Sequence, residues 1–249
     1  MKLSLITASY NSAKTINETI SSVRRQDVDN LEYIIIDGGS TDGTLEIINQ
    51  NKDIVSILIS EPDNGIYDAL NKGIKNSSGD IIGFLHSDDY FADNKILNEV
   101  KTVFEKQKID FLYGDLQYIT SDNPPKILRY WKSGEFKFSN LKKGWMPPHP
   151  TVYFKKNLMG KIDFFDTSYS ISADYDWIIR HLTIPEIKVF YLPKVLIKMK
   201  TGGKSNNNLK NIIQKSCEDY KIITKNNLGG LYTLLNKNVT KINQFFRHK

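Results

Sequence analysis

Short apolar runs alternate with amphipathic stretches through the first half of the chain. Residues 3–6, 33–36, 54–59, 81–85 and 109–113 are rich in Ile, Leu, Tyr and Phe. Runs this short, bounded by polar residues, predict buried strands. The intervals between them are long enough for crossover helices. Apolar residues recur there at helical spacing: Ile16, Ile20 and Val23, then Ile66, Leu70 and Ile74, then Leu97, Val100 and Phe104. Residues suited to cap helices precede these segments, namely Asn11 and Ser12, Asp42, Asp63 and Asn64, and Asp93. The alternation predicts an α/β fold in which a mostly parallel sheet is flanked by helices on both faces.

Beyond residue 115 the rhythm changes. Pro124, Pro125, Pro147, Pro148 and Pro150 interrupt a region that holds Tyr130, Trp131, Phe136, Phe138 and Trp145. Proline removes a backbone donor and breaks helices, so residues 120–155 read as loops and short strands that wall off a cleft. Residues 174–183 predict a helix, 187–198 a pair of strands, and 206–225 and 228–247 two terminal helices. Leu228, Leu231, Leu234 and Leu235 fall near one face of the last helix beside Lys237, Lys241 and Arg247.

Composition narrows the class. The 249 residues are 40% hydrophobic and 25% charged, enough apolar content for a full core. The single cysteine, Cys217, has no partner for an internal disulfide, which fits a reducing compartment, and it reads as a packed helix residue. The chain enters a strand pattern at once without signal-peptide organisation, and no apolar run approaches the ~18 residues of a membrane span. The expected location is therefore the cytoplasm. Charge is uneven: residues 200–249 carry +8 and residues 1–199 carry −2. A basic tail of this kind suits an anionic surface, which opens peripheral association with the inner face of the cell membrane. No helix-turn-helix, zinc-finger or RNA-binding pattern accompanies it, so nucleic acid is not expected as a partner.

The chemistry lies where the strands end. The first predicted strand runs into Thr7-Ala8-Ser9-Tyr10-Asn11, the second into Asp37-Gly38-Gly39-Ser40-Thr41-Asp42, the third into Glu61-Pro62-Asp63-Asn64-Gly65, and the fourth into His86-Ser87-Asp88-Asp89. In an open α/β sheet, ligands bind beyond the carboxyl ends of the strands. Asp37 offers a carboxylate for a nucleotide base or ribose, and Tyr10 a ring to cover the base. Adjacent Asp88 and Asp89 suit Mg²⁺ or Mn²⁺, hard cations that bridge carboxylates to phosphates. Neither Gly-x-Gly-x-x-Gly nor a P-loop follows the first strand, which removes most support for hydride transfer and P-loop hydrolysis.

Taken in order, Ser9-Tyr10-Asn11, the Asp37-to-Thr44 block, the Ser60-to-Gly73 block and Asp88-Asp89 resemble a family 2 glycosyltransferase of the GT-A fold, most of all bacterial exopolysaccharide enzymes of the colanic-acid type. The resemblance implies inverting transfer of a sugar from a nucleoside diphosphate donor, a UDP-sugar foremost, to a glycan or lipid-linked oligosaccharide acceptor in cell-surface polysaccharide synthesis. It implies that Asp89 ligates the divalent metal and that Asp88 lies nearer the ribose. It also divides the chain into a GT-A domain over 1–205, with a nucleotide-binding half (1–115) and an acceptor-side half (116–205), and a basic helical extension over 206–249.

Inversion requires a base facing the sugar's anomeric carbon. Within Ser172-Ala173-Asp174-Tyr175-Asp176-Trp177, Asp174 matches the family's base, while Ala173 stands where that family commonly has Glu; Asp176 is the alternative. Ser9, Asp68 and Lys72 are further donor-site candidates, as are His149, stiffened by flanking prolines, and Lys204 in Gly202-Gly203-Lys204-Ser205. Two other classes remain open. A sugar-nucleotide pyrophosphorylase would need a glycine- and Arg/Lys-rich loop where Thr7 to Ser12 stands, and a binding module would hold donor without releasing nucleoside diphosphate.

Overall fold

The computed structural model describes residues 1–122, 124–160, 164–200 and 209–240. The first half runs β1 (Leu3–Ser9), α1 (Ile16–Arg24), β2 (Leu31–Asp37), α2 (Thr44–Gln50), β3 (Ile57–Ser60), α3 (Ile66–Asn76), β4 (Ile81–Phe84), β5 (Asp89–Phe91) and α4 (Ile96–Lys106). The second runs β6 (Phe111–Ile119), β7 (Ile127–Trp131), α5 (Phe138–Leu141), β8 (Tyr153–Lys155), α6 (Ala173–Leu182), β9 (Val189–Lys200), α7 (Leu209–Lys225) and α8 (Leu231–Val239). One sheet joins the strands in the order β3-β2-β1-β4-β8-β6-β9-β5, with β7 paired to β6. The first four are parallel.

The central strands are apolar on both faces because helices cover both. In β1, Leu3 and Leu5 point into a layer with Ile16, Ile20 and Val23 of α1, Ile48 of α2 and Leu97, Val100 and Phe104 of α4. Ile6 and Ala8 alternate to the opposite layer, with Leu70 and Ile74 of α3, Trp177 and Ile178 of α6 and Ile222 and Ile223 of α7. The helical spacings in the sequence are thus the buried stripes of α1, α3 and α4.

Four features depart from the sequence reading. Residues 187–198 form no hairpin; β9 is a single strand, parallel to β6 and antiparallel to β5. Its register jumps from Tyr113↔Tyr191 to Asp115↔Val195, so Pro193 sits in a bulge that tolerates its missing N–H. Three-residue β8 inserts antiparallel between β4 and β6. Lys237 and the leucines of the last helix do not share an exposed face: Lys237 and Leu228 are buried, whereas Leu231 and Leu235 are exposed. Lys241 and Arg247 lie outside the described residues. Cys217 is exposed rather than packed.

Burial of Lys237 has a partner-based explanation. Its ammonium lies 2.9 Å from Asp219 of α7 and 3.0 Å from the centre of the Tyr175 ring of α6, and Lys215 reaches the same carboxylate at 3.0 Å. Burial pushes the Asp219 carboxyl up, but the two lysines outweigh it and hold it below its ordinary value. Removing Lys237 leaves the buried Asp219 with only the more exposed Lys215, and breaking a buried pair costs up to about 3–5 kcal/mol. Lys237→Ala should lose up to that much in urea unfolding at pH 7, and Lys237→Met less. Because the Asp219 carboxyl is depressed, its stabilisation is complete above the unfolded carboxylate pKa of about 4 and fades as pH falls below it; the gap between wild type and Lys237→Ala should narrow in acid.

Candidate active site

Strand order reverses between β1 and β4. The chain steps outward from β1 through α1 and α2 on one face, then returns through α3 on the other. A crevice opens at the carboxyl ends of β1 and β4, as it does at such switch points generally. Its rim is stitched from loop to loop. The Asn11 backbone N–H donates to Ser40 Oγ (2.8 Å), and Thr41 N–H donates back to Asn11 Oδ1 (3.0 Å). Ala13 N–H donates to Asp42 (3.1 Å), and the Ser12 and Ser87 hydroxyls pair at 2.9 Å. Asp37, fully buried, accepts from Gly39 N–H (3.1 Å), Ser40 N–H (2.9 Å), Ser40 Oγ (2.5 Å) and Ser60 Oγ (2.8 Å). A carboxylate has about four accepting positions, so Asp37 is filled by its own loop and braces the rim.

Asp88 and Asp89 occupy different environments. Asp89 begins β5, and the register aligns it with Met199 of β9, Tyr118 of β6 and Arg129 of β7 along one face of the sheet. That face is closed by α1, whose Thr19 hydroxyl donates to the Asp89 carbonyl at 2.8 Å. The Asp89 side chain is 0% exposed and neither carboxylate oxygen finds a hydrogen bond. Burial, then the Asp88 charge, pushes its carboxyl well above the usual range. Asp88, one residue earlier, is partly exposed.

Across the crevice, α6 begins at Ala173 and delivers Asp174, also partly exposed. Its Oδ1 accepts from Tyr175 N–H (2.8 Å) and the Tyr67 hydroxyl (3.3 Å). The single Tyr67 proton goes mainly to the Ile171 carbonyl at 2.6 Å, tying α3 to the turn before α6, and Asp174 takes only a weaker share of it. Burial, reinforced by the Asp174 charge, raises the Tyr67 phenol well above its ordinary value and keeps it a donor. Asp176 is fully buried and paired to Arg180 at 2.7 Å, which removes the alternative base from the crevice. His86 lies where Asp88 and Asp174 both act on it: burial lowers its pKa while the two carboxylates oppose that fall.

Comparison with known proteins settles the family. The model for glycosyl transferase family 2 matches residues 4–170. The chain belongs to that family. An uncharacterised glycosyltransferase of Mycobacterium tuberculosis is 32% identical over 193 residues, covering 74% of this chain and 70% of the relative. The Escherichia coli UDP-Glc:α-D-GlcNAc-diphosphoundecaprenol β-1,3-glucosyltransferase WfaP is 38% identical over 134 residues, half of this chain and 53% of WfaP. The crystal structure of S. aureus TarS 1-349 in complex with UDP-GlcNAc superposes with a TM-score of 0.72 at 20% identity, covering 99% of this chain and 73% of that one. The fold of this family 2 glycosyltransferase is GT-A.

The remaining candidates of the transferase separate by position. Tyr10 is 52% exposed at the rim, whereas Ser9 beneath it is buried with an unbonded hydroxyl. Asp68 accepts the Asn64 N–H at 3.1 Å, and Lys72 pairs with Glu61 at 2.8 Å, so both brace the loop after β3. His149 is not on an open loop. It is buried, stacked on Phe84 at 4.9 Å and 5.7 Å from His86, and burial holds its imidazole neutral, well below its ordinary pKa. Lys204 lies outside the described residues.

Two acids have no site role in the sequence, where Asp63 reads as a helix cap. Asp63 points at Gly38, where an added Cβ would lie 2.5 Å from its Oδ2, and glycine beside a loop acid was the available signal. Glu218 approaches the start of α6 from α7, 46 residues away, with no local signal to mark it. Since Tyr67 joins α3, the turn and Asp174 through one hydroxyl, Tyr67→Phe should cost about 1–2 kcal/mol in urea unfolding; a change below about 0.3 kcal/mol would show that the hydroxyl holds nothing.

Proposed function

We propose that this glycosyltransferase is an inverting, divalent-metal-dependent enzyme that moves a sugar from a UDP-sugar to a lipid-linked glycan acceptor in cell-surface polysaccharide or glycolipid synthesis. The observation that carries this reading is the pairing of an open carboxylate, Asp88, at the strand-end rim with a second open carboxylate, Asp174, across the crevice. TarS and WfaP support the nucleotide and the acceptor class, since TarS was crystallised with UDP-GlcNAc and the name of WfaP includes UDP-Glc and a diphosphoundecaprenol acceptor.

The acids fit a hard divalent cation. Among the described residues no three His, Cys, Asp or Glu groups could cage a metal. Mg²⁺ and Mn²⁺ need no such cage, taking one or two carboxylates and completing their shell with water and phosphate. We assign the direct contact to Asp88, which is open, rather than to Asp89, whose oxygens are enclosed and whose carboxyl is pushed by burial toward its neutral form. The bound metal would neutralise charge developing on the departing diphosphate.

The chain's own groups do the rest. The acceptor hydroxyl oxygen attacks the anomeric carbon as the carbon–oxygen bond to the diphosphate breaks on the opposite side, and Asp174 takes the hydroxyl proton. Tyr67 and the Tyr175 N–H hold Oδ1 of Asp174, which leaves Oδ2 for that proton. The Asp37 network and the Glu61–Lys72 pair keep the rim rigid around the nucleotide, with Tyr10 to cover the base.

The C-terminal helices complete the picture. No described helix is long and apolar enough to cross a membrane. On α8, Leu231, Tyr232, Leu235 and Val239 are exposed, in a tail that carries +8, and this stripe would rest on anionic lipid beside the acceptor. Leu235→Glu with Val239→Glu should abolish co-sedimentation with anionic vesicles while leaving the fold intact by circular dichroism.

The deciding experiment is UDP release from a panel of UDP-sugars with Mn²⁺ and a polyprenyl-diphosphate sugar, with and without EDTA. Release from one donor that EDTA abolishes is expected. Asp88→Asn should weaken Mn²⁺-dependent donor binding at least tenfold and Asp89→Asn less. Asp174→Asn should bind donor normally and turn over at least a hundredfold more slowly. Tight donor binding without release, with every acceptor tried, would convert the reading to that of a binding module.

A further inference from the structure

We propose that Glu218 is a positioning residue for Asp174, so that α7 is part of the catalytic apparatus rather than an appendage to it. The proposal rests on the reading of Asp174 as the base.

Three consecutive backbone amides before α6 converge on the Glu218 carboxylate. Ser170 N–H donates to Oε1 at 3.1 Å, and Ile171 and Ser172 N–H donate to Oε2 at 3.0 and 2.8 Å. Gln214, one turn earlier on α7, donates to Oε1 at 3.0 Å and fixes the rotamer. Glu218 is buried, and charge-assisted bonds of this kind are stronger than neutral ones.

Helix α6 lacks the cap that its sequence suggests. Ser172 stands at the N-cap, yet its hydroxyl makes no hydrogen bond, and Ala173 carries no acceptor. Orphan amides at a helix start are ordinarily satisfied by the N-cap side chain, and a negative charge there also complements the helix dipole. Glu218, from another helix, satisfies one of these, the Ser172 amide, together with the two amides before it, and brings a carboxylate to the helix start.

The turn is gripped from two sides. Tyr67 of α3 donates to the Ile171 carbonyl, while Glu218 of α7 accepts from the amides of the same residue and its two neighbours. Asp174 follows directly, and its Oδ1 shares the Tyr67 hydroxyl. Misplacement of a catalytic group by about 1 Å can cost on the order of a hundredfold in rate. Release of either grip would therefore move the base without touching the donor site. The depth of α7 is itself fixed by the Asp219–Lys237 pair, one residue beyond Glu218.

The test compares Glu218→Ala and Glu218→Gln with wild type in three measurements: donor affinity with Mn²⁺, turnover against acceptor, and amide hydrogen exchange. Glu218→Ala should keep donor affinity within about threefold, lower kcat by about a hundredfold, and speed exchange at residues 170–172 at least tenfold while β1, β2 and β4 stay protected. Glu218→Gln retains shape and one accepting oxygen, so it should fall between the two in both kcat and exchange. Unchanged kcat and unchanged exchange at 170–172 would overturn the proposal, as would acceleration spread evenly over the whole chain, which would mean general loosening. Full turnover by Asp174→Asn would remove the underlying reading of the base, and the exchange measurement distinguishes that failure because it requires no catalysis.

Discussion

The molecule is organised by the enclosure of its central strands on both faces. Leu3, Leu5, Ile6, Ile34, Ile35, Ile36, Ile81 and Ile82 are all fully buried, whichever way they point. A doubly covered sheet has no room for unpaired polar groups along its strands, so polar chemistry is displaced to the strand ends. Because α1 and α3 depart to opposite faces, the ends of β1 and β4 are the place where no helix blocks access. Ser9, Asp37 and Asp88 meet there as a consequence of packing, before any ligand is considered.

The site carries a concentration of unmet polarity. Ser9 Oγ, His86 Nδ1, both oxygens of Asp89, His149 Nε2 and Ser172 Oγ are buried without a hydrogen-bond partner among the described residues, as are the Tyr153 and Tyr175 hydroxyls and Trp177 Nε1 in the core beneath. Native interiors satisfy nearly all such groups, so a cluster of exceptions marks a region shaped for something other than its own stability. The contrast is Asp37, whose accepting positions are filled by its own loop. One acid holds the rim together, and the others leave it electrostatically unsettled.

Much of this was legible from local pattern. The five apolar runs became β1, β2, β3, β4 and β6, and Ile16, Ile20 and Val23 are buried as their spacing required. Among the described residues between 120 and α6 there is no long helix, in keeping with the prolines there. What escaped depends on partners distant in sequence. Pro193 reads as a turn until β6 is seen to absorb it in a bulge. Asp88 and Asp89 are indistinguishable as neighbours in sequence, and the pairing of β5 with β9 turns only the second into the interior. Lys237 reads as a surface charge until Asp219 is placed 2.9 Å away.

The insertion of β8 bears on how the chain can be assembled. β4 sits in mid-sheet, with β1 on one side and β8 on the other, yet residues 153–155 follow it by about 70 positions in the chain. Until they arrive, one full edge of β4 presents unsatisfied amides and carbonyls. Open edges of apolar strands invite pairing with other chains, and contacts this distant in sequence form late. The first half of the sheet, coherent as it reads in sequence, therefore has a physical dependence on residues of the second. During synthesis the ribosome must deliver residue 155 before the first half can seal, and β5 waits longer still, until Met199 of β9 arrives 110 positions after Asp89.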